Sequence, residues 1–342
     1  ESDLGEYIIQ LAKEPPSHII APAVHKTRAE ITELFDHHHH QRSGGPLRET
    51  PDLVNEARGV LREKFLCADI GISGANFLIA ETGTITLVTN EGNADLSTSL
   101  PRVHIAIAGV EKLVPGMKEA SSMLRLLARS ATGQQITAYT TFITGTRRLE
   151  DHDGPEELHV VLIDNGRTRM LGDEFREMLR CIRCGACMNH CPVYSAIGGH
   201  AYGWVYPGPM GAVLTPMFRG LEQSQDLPNA CTLNGRCQSV CPVKIQLPYL
   251  IRRLRDYSFE QKIGSAPGRW GIRVWAWMAR RPGLYQLTTR MARPVLRLFG
   301  RGSAVRLPLA GSWTRSRDLP LPSGSGTFQQ QWQQHRTREG KQ

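Results

Sequence analysis

Seven of the eight cysteines in this 342-residue chain fall into two short runs. The first run contains Cys181, Cys184, Cys187 and Cys191 in the spacing C-x2-C-x2-C-x3-C, and Pro192 follows it directly. Thiolates at this spacing, followed by proline, are the bacterial pattern for holding an iron–sulfur cluster. The sequence therefore predicts a protein that carries electrons.

The second run has Cys231, Cys237, Cys241 and Pro242, but Asn234 stands where the first run has its second cysteine. In two-cluster proteins of this type, the fourth cysteine of each run binds the other cluster. On that rule the ligands of cluster 1 are Cys181, Cys184, Cys187 and Cys241, and those of cluster 2 are Cys191, Cys231 and Cys237. An amide is a weak ligand for iron compared with a thiolate. We therefore predict one 4Fe-4S cluster and a second cluster that is either 3Fe-4S or a labile 4Fe-4S.

Structural zinc and disulfides are the alternatives to iron for these cysteines. Zinc sites use two separated C-x2-C pairs, whereas here three cysteines stand at three-residue steps, a fourth follows, and the pattern repeats. Most of these cysteines are too close in sequence to bridge well, and eight cysteines in 342 residues are not a disulfide-rich composition. Iron–sulfur clusters explain the pattern better.

The net charge of +9 is concentrated in the C-terminal part of the chain. Residues 244–342 contain 19 Lys and Arg against 4 Asp and Glu, or +15, which leaves −6 for residues 1–243. In an electron carrier, a basic module suits an acidic partner or an anionic membrane surface. Nucleic acid is the other reading of such an asymmetry, and we do not expect it here.

Hydropathy and cysteine chemistry together indicate the cellular setting. No apolar stretch reaches the roughly 18 residues needed to cross a bilayer, so we expect a soluble protein or one peripheral to the inner face of the membrane. Thiolates that hold iron must stay reduced, which favours the cytoplasm. The chain begins at Glu1 without a methionine, and we expect that material before it is missing.

Residues 1–168 are predicted to form an α/β domain with a mixed sheet. A helix is expected from Thr50 to near Cys67, with Pro51 at its first position. Short runs rich in β-branched residues predict strands at 76–80, 84–89, 103–108, 136–144 and 158–163, and a helix is expected at 117–128.

The rest of the chain is predicted to be helical. Residues 169–255 are expected to form a helical ferredoxin module, because the connector rich in glycine, proline and aromatic residues at 197–211 is too long for a compact ferredoxin hairpin. Residues 256–307 are predicted to be a basic helical region that Pro294 kinks or splits, and residues 308–342 a loose tail. An ordinary surface helix is the simpler interpretation of the basic region, although its tryptophans favour an interfacial role.

Two further features receive structural interpretations. The four histidines at 37–40 are expected to lie in a solvated polar loop, since adjacent histidines cannot easily converge on one metal. Cys67 lies between a predicted helix and a strand, and is expected to be a buried apolar thiol.

Several segments resemble the bacterial lactate-utilization iron–sulfur proteins of B type. They are 74–93 with 100–105, the cysteine-containing segments 181–187 and 241–245, and IGGHAYG at 197–203. The resemblance implies a LUD domain with the fold of the ribose-phosphate isomerase and CoA-transferase group, then an α-helical dicluster ferredoxin and a helical C-terminal extension. It also implies that the chain works beside two companion subunits in oxidising L-lactate to pyruvate. The family pattern commonly has cysteine at the position of Asn234, so the resemblance alone does not guarantee a full second cluster here.

The site of substrate binding is less defined than the cluster ligands. If the LUD domain binds a small anion, the turns Glu81-Thr82-Gly83 and Asn90-Glu91-Gly92-Asn93 offer carboxylates and backbone donors. Tight turns made for structural reasons are the alternative. No catalytic residue is assigned, and no G-x-G-x-x-G fingerprint indicates a bound hydride acceptor.

Two other functions are compatible with the sequence. The LUD domain could itself be catalytic toward a small hydroxy acid or a CoA-linked acid, with the clusters as the electron exit. The labile cluster could instead sense redox state or iron, with the basic region as a nucleic-acid arm. The favoured function is electron transfer within a lactate-oxidising complex, to an acceptor that the sequence does not identify.

Overall fold

The structure is a computed structural model that describes residues 3–39, 47, 49–301, 304–305, 319–322 and 326–339. The chain divides into two compact units, residues 1–263 and 264–342, and each is described by itself. Both cysteine runs lie in the first unit.

Three helices begin the first unit: α1 Leu4–Ala12, α2 Arg28–His38 and α3 Thr50–Leu66. Residues close in sequence determine where each helix begins. The Asp3 side chain accepts from the Gly5 N–H before α1, and Thr27 forms a capping box with Glu30 at the start of α2. Helix α3 begins where predicted, with a proline in its first turn. The helices pack around a shared apolar core that contains Tyr7 and Phe35.

Seven strands follow in the α/β region. They are β1 Ile70–Gly74, β2 Phe77–Ile79, β3 Thr84–Thr89, β4 Val103–Gly109, β5 Leu113–Val114, β6 Tyr139–Ile143 and β7 Glu157–Ile163. Two helices lie between them, α4 Asn93–Ser99 and α5 Met117–Ala131.

These strands form two sheets, where one mixed sheet was predicted. The first has the order β1-β4-β7 and is fully parallel, so its three carboxyl ends lie at one edge. The second has the order β5-β2-β3-β6 and mixes parallel with antiparallel pairs. The prediction missed β1, and without it the separate parallel sheet could not be recognised. In the parallel sheet Ile72 and Val161 are exposed and lie on the same face, so part of an apolar sheet face is uncovered.

A helical region then carries both cysteine runs. Its α-helices are α6 Arg167–Met170, α7 Ala186–Asn189, α8 Pro192–Ile197, α9 Gly208–Arg219, α10 Asp226–Ala230, α11 Arg236–Ser239 and α12 Leu247–Glu260. Two 3-10 helices accompany them, at Glu174–Arg180 and His200–Tyr202. Helices α9 and α12 supply half of the buried residues of the apolar core, in which Met188, Met210 and Ile251 are almost fully buried.

The second unit contains α13 Ala266–Ala279, α14 Pro282–Leu298, the strands β8 Gly300–Arg301, β9 Ala304–Val305 and β10 Leu319–Pro320, and α15 Phe328–Glu339. Helix α14 is not split at Pro294, which lies inside it. No residue of α13 or α14 is buried. Among the described residues, no helix combines the length and the apolar character needed to cross a membrane.

Two local predictions are wrong. His37 and His38 lie in the last turn of α2 rather than in a loop, and the side chain of His39 is buried between Tyr7 and Glu56. His40 lies outside the described residues. Cys67 is exposed at the end of α3, because the chain leaves the core there.

The predicted loose tail contains helix α15, while residues 306–318 lie outside the described part. The helix is rich in glutamine and contains neither glycine nor proline, a composition with good helix propensity that the prediction did not weigh.

Candidate metal centres

The two cysteine runs have the same backbone conformation, fifty positions apart. Arg183 and Leu233, each two residues after the first cysteine of its run, have positive φ angles of 60° and 56°. Gly185 and Gly235 follow at 71° and 83°, and each precedes a four-residue helix, α7 or α11. The runs are therefore a structural repeat, and the change to Asn234 has not altered its backbone.

The four cysteines predicted to bind cluster 1 surround a single apolar cavity. Cys181, Cys184 and Cys187 line it from the first run and Cys241 from the second, with Met210 among the other residues of its wall. Burial raises the pKa of Cys187 well above that of a free thiol, and neighbouring Cys181 raises it further. Burial also raises the pKa of Cys184, and Cys181 and Cys241 contribute. The four thiols therefore lie close enough to influence one another.

The cysteines predicted to bind cluster 2 form a second group. Burial, followed by the nearby thiols of Cys231 and Cys191, raises the pKa of Cys237 to about 11. Burial, together with the nearby thiols of Cys191 and Cys231, raises the pKa of buried Tyr202. Cys191 thus faces the thiols of the second run rather than those of its own.

The chemistry of both groups fits iron–sulfur clusters. None of the eight cysteines, all within the described residues, forms a disulfide. Several buried thiols at one point cannot all ionise without a cation to offset their charge, and thiolates are the ligands that hold iron in such clusters. Each group also takes one cysteine from the other run, which is the exchange expected of a two-cluster module. The assignment of individual ligands stays a prediction.

Asn234 differs from its counterpart Cys184 in exposure but matches it in local bonding. Cys184 is buried and its sulfur lies within reach of the Ala186 N–H. Asn234 is exposed, and its Oδ1 accepts from the Arg236 N–H at 3.1 Å. The amide oxygen therefore takes the same backbone hydrogen bond that the sulfur takes in the first run. One lone pair of Oδ1 is engaged in this way, which weakens it further as a ligand for iron.

Side chains from α12 fix the segments that lead into both runs. Arg255 donates to the carbonyl oxygens of Pro228 and Cys231, just before and within the second run. Arg253 donates to both carboxylate oxygens of Glu174, at 2.8 and 3.0 Å, and the Tyr257 hydroxyl donates to the same carboxylate. Glu174 begins the 3-10 helix that leads into Cys181, so α12 holds the two repeats together.

A buried carboxylate joins the α/β region to the first cysteine run. Glu111 forms ion pairs with Arg167 at 2.7 Å and with Arg183 at 2.9 Å, and its side chain is only 3% exposed. Each arginine also lies against an aromatic ring, Arg183 against Tyr206 and Arg167 against Phe218. Because Arg183 stands between Cys181 and Cys184, the sheet region contributes charge to the surroundings of cluster 1.

Two neighbours of Glu111 complete this arrangement. Gly109 has no side chain, and a Cβ there would overlap the Glu111 carboxylate. Burial, reinforced by the charge of Arg183, lowers the pKa of adjacent Lys112 to about 8.

The segment 15–26, here called the strap, holds the N-terminal region against the helical region. The Tyr194 hydroxyl donates to the Ser17 carbonyl oxygen at 2.9 Å, and His200 bonds to that of Pro15 at 2.8 Å. His18 Nδ1 accepts from two backbone N–H groups, which leaves Nε2 to donate to Asn189 at 3.3 Å. A side chain at Gly199 would overlap the Ser17 carbonyl, so the strap lies directly on this glycine.

The predicted substrate turns do not meet in one place. Glu81, Thr82 and Gly83 precede β3, whereas Asn90, Glu91 and Asn93 follow it. A six-residue strand separates the two turns, a length of roughly 20 Å. Burial and the charge of Asp3 raise the pKa of Glu91, which lies near Glu6. Substrate binding at either turn stays a prediction.

The spacing of the cysteines did not indicate that Glu111, Lys112 and Tyr202 lie near them. Tyr202 lies within the IGGHAYG segment and Arg183 within the first run, but spacing does not show what a side chain contacts. Glu111 and Arg183 are 72 residues apart in sequence, so no local pattern predicts their pairing.

Comparisons with known proteins divide the chain into three parts. A LUD domain matches residues 1–163, a 4Fe-4S dicluster domain residues 177–245, and the C-terminal domain of lactate utilisation protein B residues 263–337. Sequence and structure therefore agree that the N-terminal part is a mixed α/β region and that the helical part after it carries an iron–sulfur domain.

Curated relatives match nearly the whole chain. An electron transport protein of Escherichia coli, YkgF, described as uncharacterized, is 44% identical over 344 residues, which cover 100% of this chain and 71% of that protein. Lactate utilization protein B of Lysinibacillus sphaericus is 46% identical over 345 residues, covering 99% and 71% respectively. The protein of the same name from Bacillus pumilus is 46% identical over 329 residues, covering 94% and 68%.

One solved structure overlaps a smaller part of the chain. The crystal structure of a DUF162 family protein from Deinococcus radiodurans covers 29% of this chain and 56% of its own, with 22% identity and a TM-score of 0.23. At that score the overlap does not establish a common fold.

Proposed function

The chain belongs to the lactate utilization protein B family, and from this premise we propose that it is the iron–sulfur electron-transfer subunit of a complex that oxidises L-lactate to pyruvate. The observation that carries the proposal is the exchange of cysteines between the runs, with Cys241 beside the first run and Cys191 beside the second. This exchange keeps the two thiol groups in one folded unit, where electrons can pass from one cluster to the other.

The proposed cofactors are one 4Fe-4S cluster and a second cluster that is 3Fe-4S or a labile 4Fe-4S. Four buried or half-buried thiols are available for cluster 1. Cluster 2 has three thiols, and the fourth position is exposed Asn234 with its amide oxygen engaged by Arg236. An iron at that corner would bind water or the amide oxygen and would be lost readily.

Electron counting supports a role as a relay. Oxidation of lactate releases two electrons, and each iron–sulfur cluster ordinarily carries one. The chain has no dinucleotide fingerprint that would hold a hydride acceptor. We therefore place the chemistry of the substrate on two companion subunits, with this chain passing the electrons to a downstream acceptor.

Anaerobic reconstitution with and without the companion subunits tests this proposal. In their presence, L-lactate is expected to reduce the clusters, as seen by bleaching of the visible absorbance and by electron paramagnetic resonance. Without them, the clusters should accept electrons from dithionite but not from lactate. Reduction by lactate in the isolated chain would instead show that the LUD domain is itself catalytic.

The cellular setting is proposed to be the cytoplasm, with the second unit in contact with the inner membrane face. Residues 266–298 contain seven arginines and no lysine, aspartate or glutamate. Trp270 and Trp275 are 67% and 60% exposed. Exposed tryptophan among cationic side chains is typical of helices at a membrane surface. Sedimentation with vesicles that contain anionic lipid, but not with neutral vesicles, is the expected result.

For the α/β region, the ribose-phosphate isomerase and CoA-transferase fold stays a proposal. Its support is the parallel β1-β4-β7 sheet within a mixed α/β region. An experimental structure of this region, compared with members of that group, would decide the matter.

A further inference from the structure

A cavity of about 500 Å³ lies at the edge of the sheet β1-β4-β7 where its strands end. Gly74 and Ala75 line it after β1, and Ile107–Gly109 line it at the end of β4. Arg167, in the segment after β7, forms another part of the wall. Open parallel sheets bind their ligands at this edge, outside the carboxyl ends of the strands. We call this space the sheet-edge cavity.

The charged groups of the sheet-edge cavity leave an excess of positive charge. Lys112, Arg167 and Arg183 line it. Within the described residues a single carboxylate, that of Glu111, pairs with both arginines, so it offsets only one of their two charges. Lys112 forms no ion pair with a carboxylate in the described part of the chain. The other acid in the wall is Glu6, so three cationic side chains face two carboxylates and the excess is one positive charge.

The remaining walls are mostly apolar and come from several segments. Ile19 and Pro22 of the strap line one side, Ile9 of α1 and Val205 another. His18 also lines the cavity and is kept neutral, because burial lowers its pKa and its Nδ1 accepts two backbone hydrogen bonds. A volume of this size admits a small organic molecule but not a protein segment.

We infer that the sheet-edge cavity binds a small monocarboxylate, whose carboxylate pairs with Lys112 and Arg183 while its short carbon chain contacts the apolar walls. A monoanion matches the excess positive charge, whereas a dianion such as phosphate would leave one charge uncompensated in a largely apolar space. The mixture of apolar walls and a few convergent polar groups is typical of small-molecule sites.

The position of Arg183 connects this cavity with cluster 1. Arg183 lies in the first run between Cys181 and Cys184, and its guanidinium lines the sheet-edge cavity. A carboxylate bound there adds negative charge beside the cluster. Added negative charge lowers a reduction potential, so the bound anion is expected to make cluster 1 harder to reduce.

The test measures anion binding by calorimetry on the full chain, loaded with clusters and kept anaerobic. The probes are acetate, L-lactate and pyruvate, with inorganic phosphate as the dianion. At least one monocarboxylate is expected to bind saturably with one site per chain, and more tightly than phosphate. Lys112→Met, which removes the charge and keeps a similar length, should weaken binding about tenfold or more. Lys118→Met, at an exposed lysine in the first turn of α5, should leave it unchanged.

A second variant separates loss of the site from loss of folding. Val205→Trp places a bulky ring at an exposed position of the cavity wall and leaves the charges in place. We expect it to abolish binding while iron content and melting temperature stay those of the parent. Ile136→Trp, at another exposed apolar position, is its control.

Absence of saturable binding in the parent chain, or equal affinity in Lys112→Met and the parent, overturns the inference. So does tighter binding of phosphate than of every monocarboxylate. Electron transfer is measured separately, by reduction of the clusters with the companion subunits. Failure of anion binding is therefore distinguishable from failure of the proposed function.

Discussion

Arg183 and Leu233 occupy equivalent positions in the two cysteine runs and share a left-handed backbone conformation, with φ angles of 60° and 56°. Residues with a Cβ seldom adopt this conformation, so its presence in both runs marks a shared requirement of the loop. The second run has the same loop with Asn234 in place of one thiol. The lost ligand should therefore be restorable by a single substitution.

Asn234→Cys is expected to complete the ligand set of cluster 2. The iron content after anaerobic reconstitution should rise toward eight per chain, and any three-iron signal in the oxidised protein should disappear. Asn229→Cys, at an exposed position just before the run, is the matched control and should not change the iron content. A parent chain that already holds eight stable irons contradicts the assignment of Asn234.

Exchange of cysteines between runs predicts which cluster each substitution damages. Cys191 belongs to the first run by sequence, but it faces Cys231 and Cys237. Cys191→Ser should therefore impair cluster 2. Cys241→Ser should impair cluster 1 for the corresponding reason. Electron paramagnetic resonance of the reduced variants, compared with the parent, identifies the affected cluster. The opposite pattern would show that each run binds its own cluster.

Tyr202 lies near Cys191, and we expect its hydroxyl to raise the reduction potential of cluster 2 by donating a hydrogen bond to that sulfur. Hydrogen bonds to cluster sulfur stabilise the reduced state. Tyr202→Phe should therefore lower the potential by on the order of 40 mV, which corresponds to about 1 kcal/mol for one electron. Tyr194→Phe is the control, since that hydroxyl donates to the Ser17 carbonyl. If cluster 2 has the same reduction potential in the parent and in Tyr202→Phe, the Tyr202 hydroxyl does not tune that cluster.

Glu174 makes stability depend on acid pH. Hydrogen bonds from Arg253 and Tyr257 lower its pKa from 4.5 to about 2, so the folded chain holds this proton less tightly than the unfolded chain. The stabilisation is complete above pH 4.5 and is lost as pH falls toward 2. Glu174→Gln should lower the melting temperature by roughly 2–4 °C at neutral pH, and the difference should shrink in acid. Glu222→Gln, at an exposed position, should melt like the parent throughout.

Replacing Glu111 is expected to lower the free energy of unfolding far more than replacing Glu174. Within the described residues it is the carboxylate that pairs with buried Arg167 and half-buried Arg183, and its loss leaves two guanidinium charges without that partner. Breaking a buried pair in this way costs about 3–5 kcal/mol of unfolding free energy. Glu111→Gln should show this loss by chemical denaturation, whereas Glu119→Gln, exposed in the first turn of α5, should lie close to the parent.

Sequence patterns predicted helices and strands well where residues close in sequence determine the structure. Helix α3 and strands β3, β4 and β7 lie within about one residue of their predicted ends, because apolar periodicity and an N-terminal proline act over a few residues. Strand β1 was missed since its short GISG sequence carries two glycines and alternation too brief to recognise.

The site was predictable only as far as cysteine spacing reaches. Spacing predicts which thiols belong together, because the loop geometry follows from the run itself. It does not predict that Glu111 contacts Arg183, since that contact depends on how the sheet region packs on the helical region. The burial of His39 has the same origin, as its partners Tyr7 and Glu56 are distant in sequence.

The strap also has a consequence for the order in which the chain is built. Tyr194, to which Ser17 bonds, leaves the ribosome 177 residues after it. At ordinary rates of synthesis this delay lasts roughly 10 to 35 s. Throughout that time the strap lacks its hydrogen-bond partners in the helical region, Asn189, Tyr194 and His200, and the glycine surface at Gly199 on which it rests. The strap is therefore made well before it can reach its native contacts with the helical region.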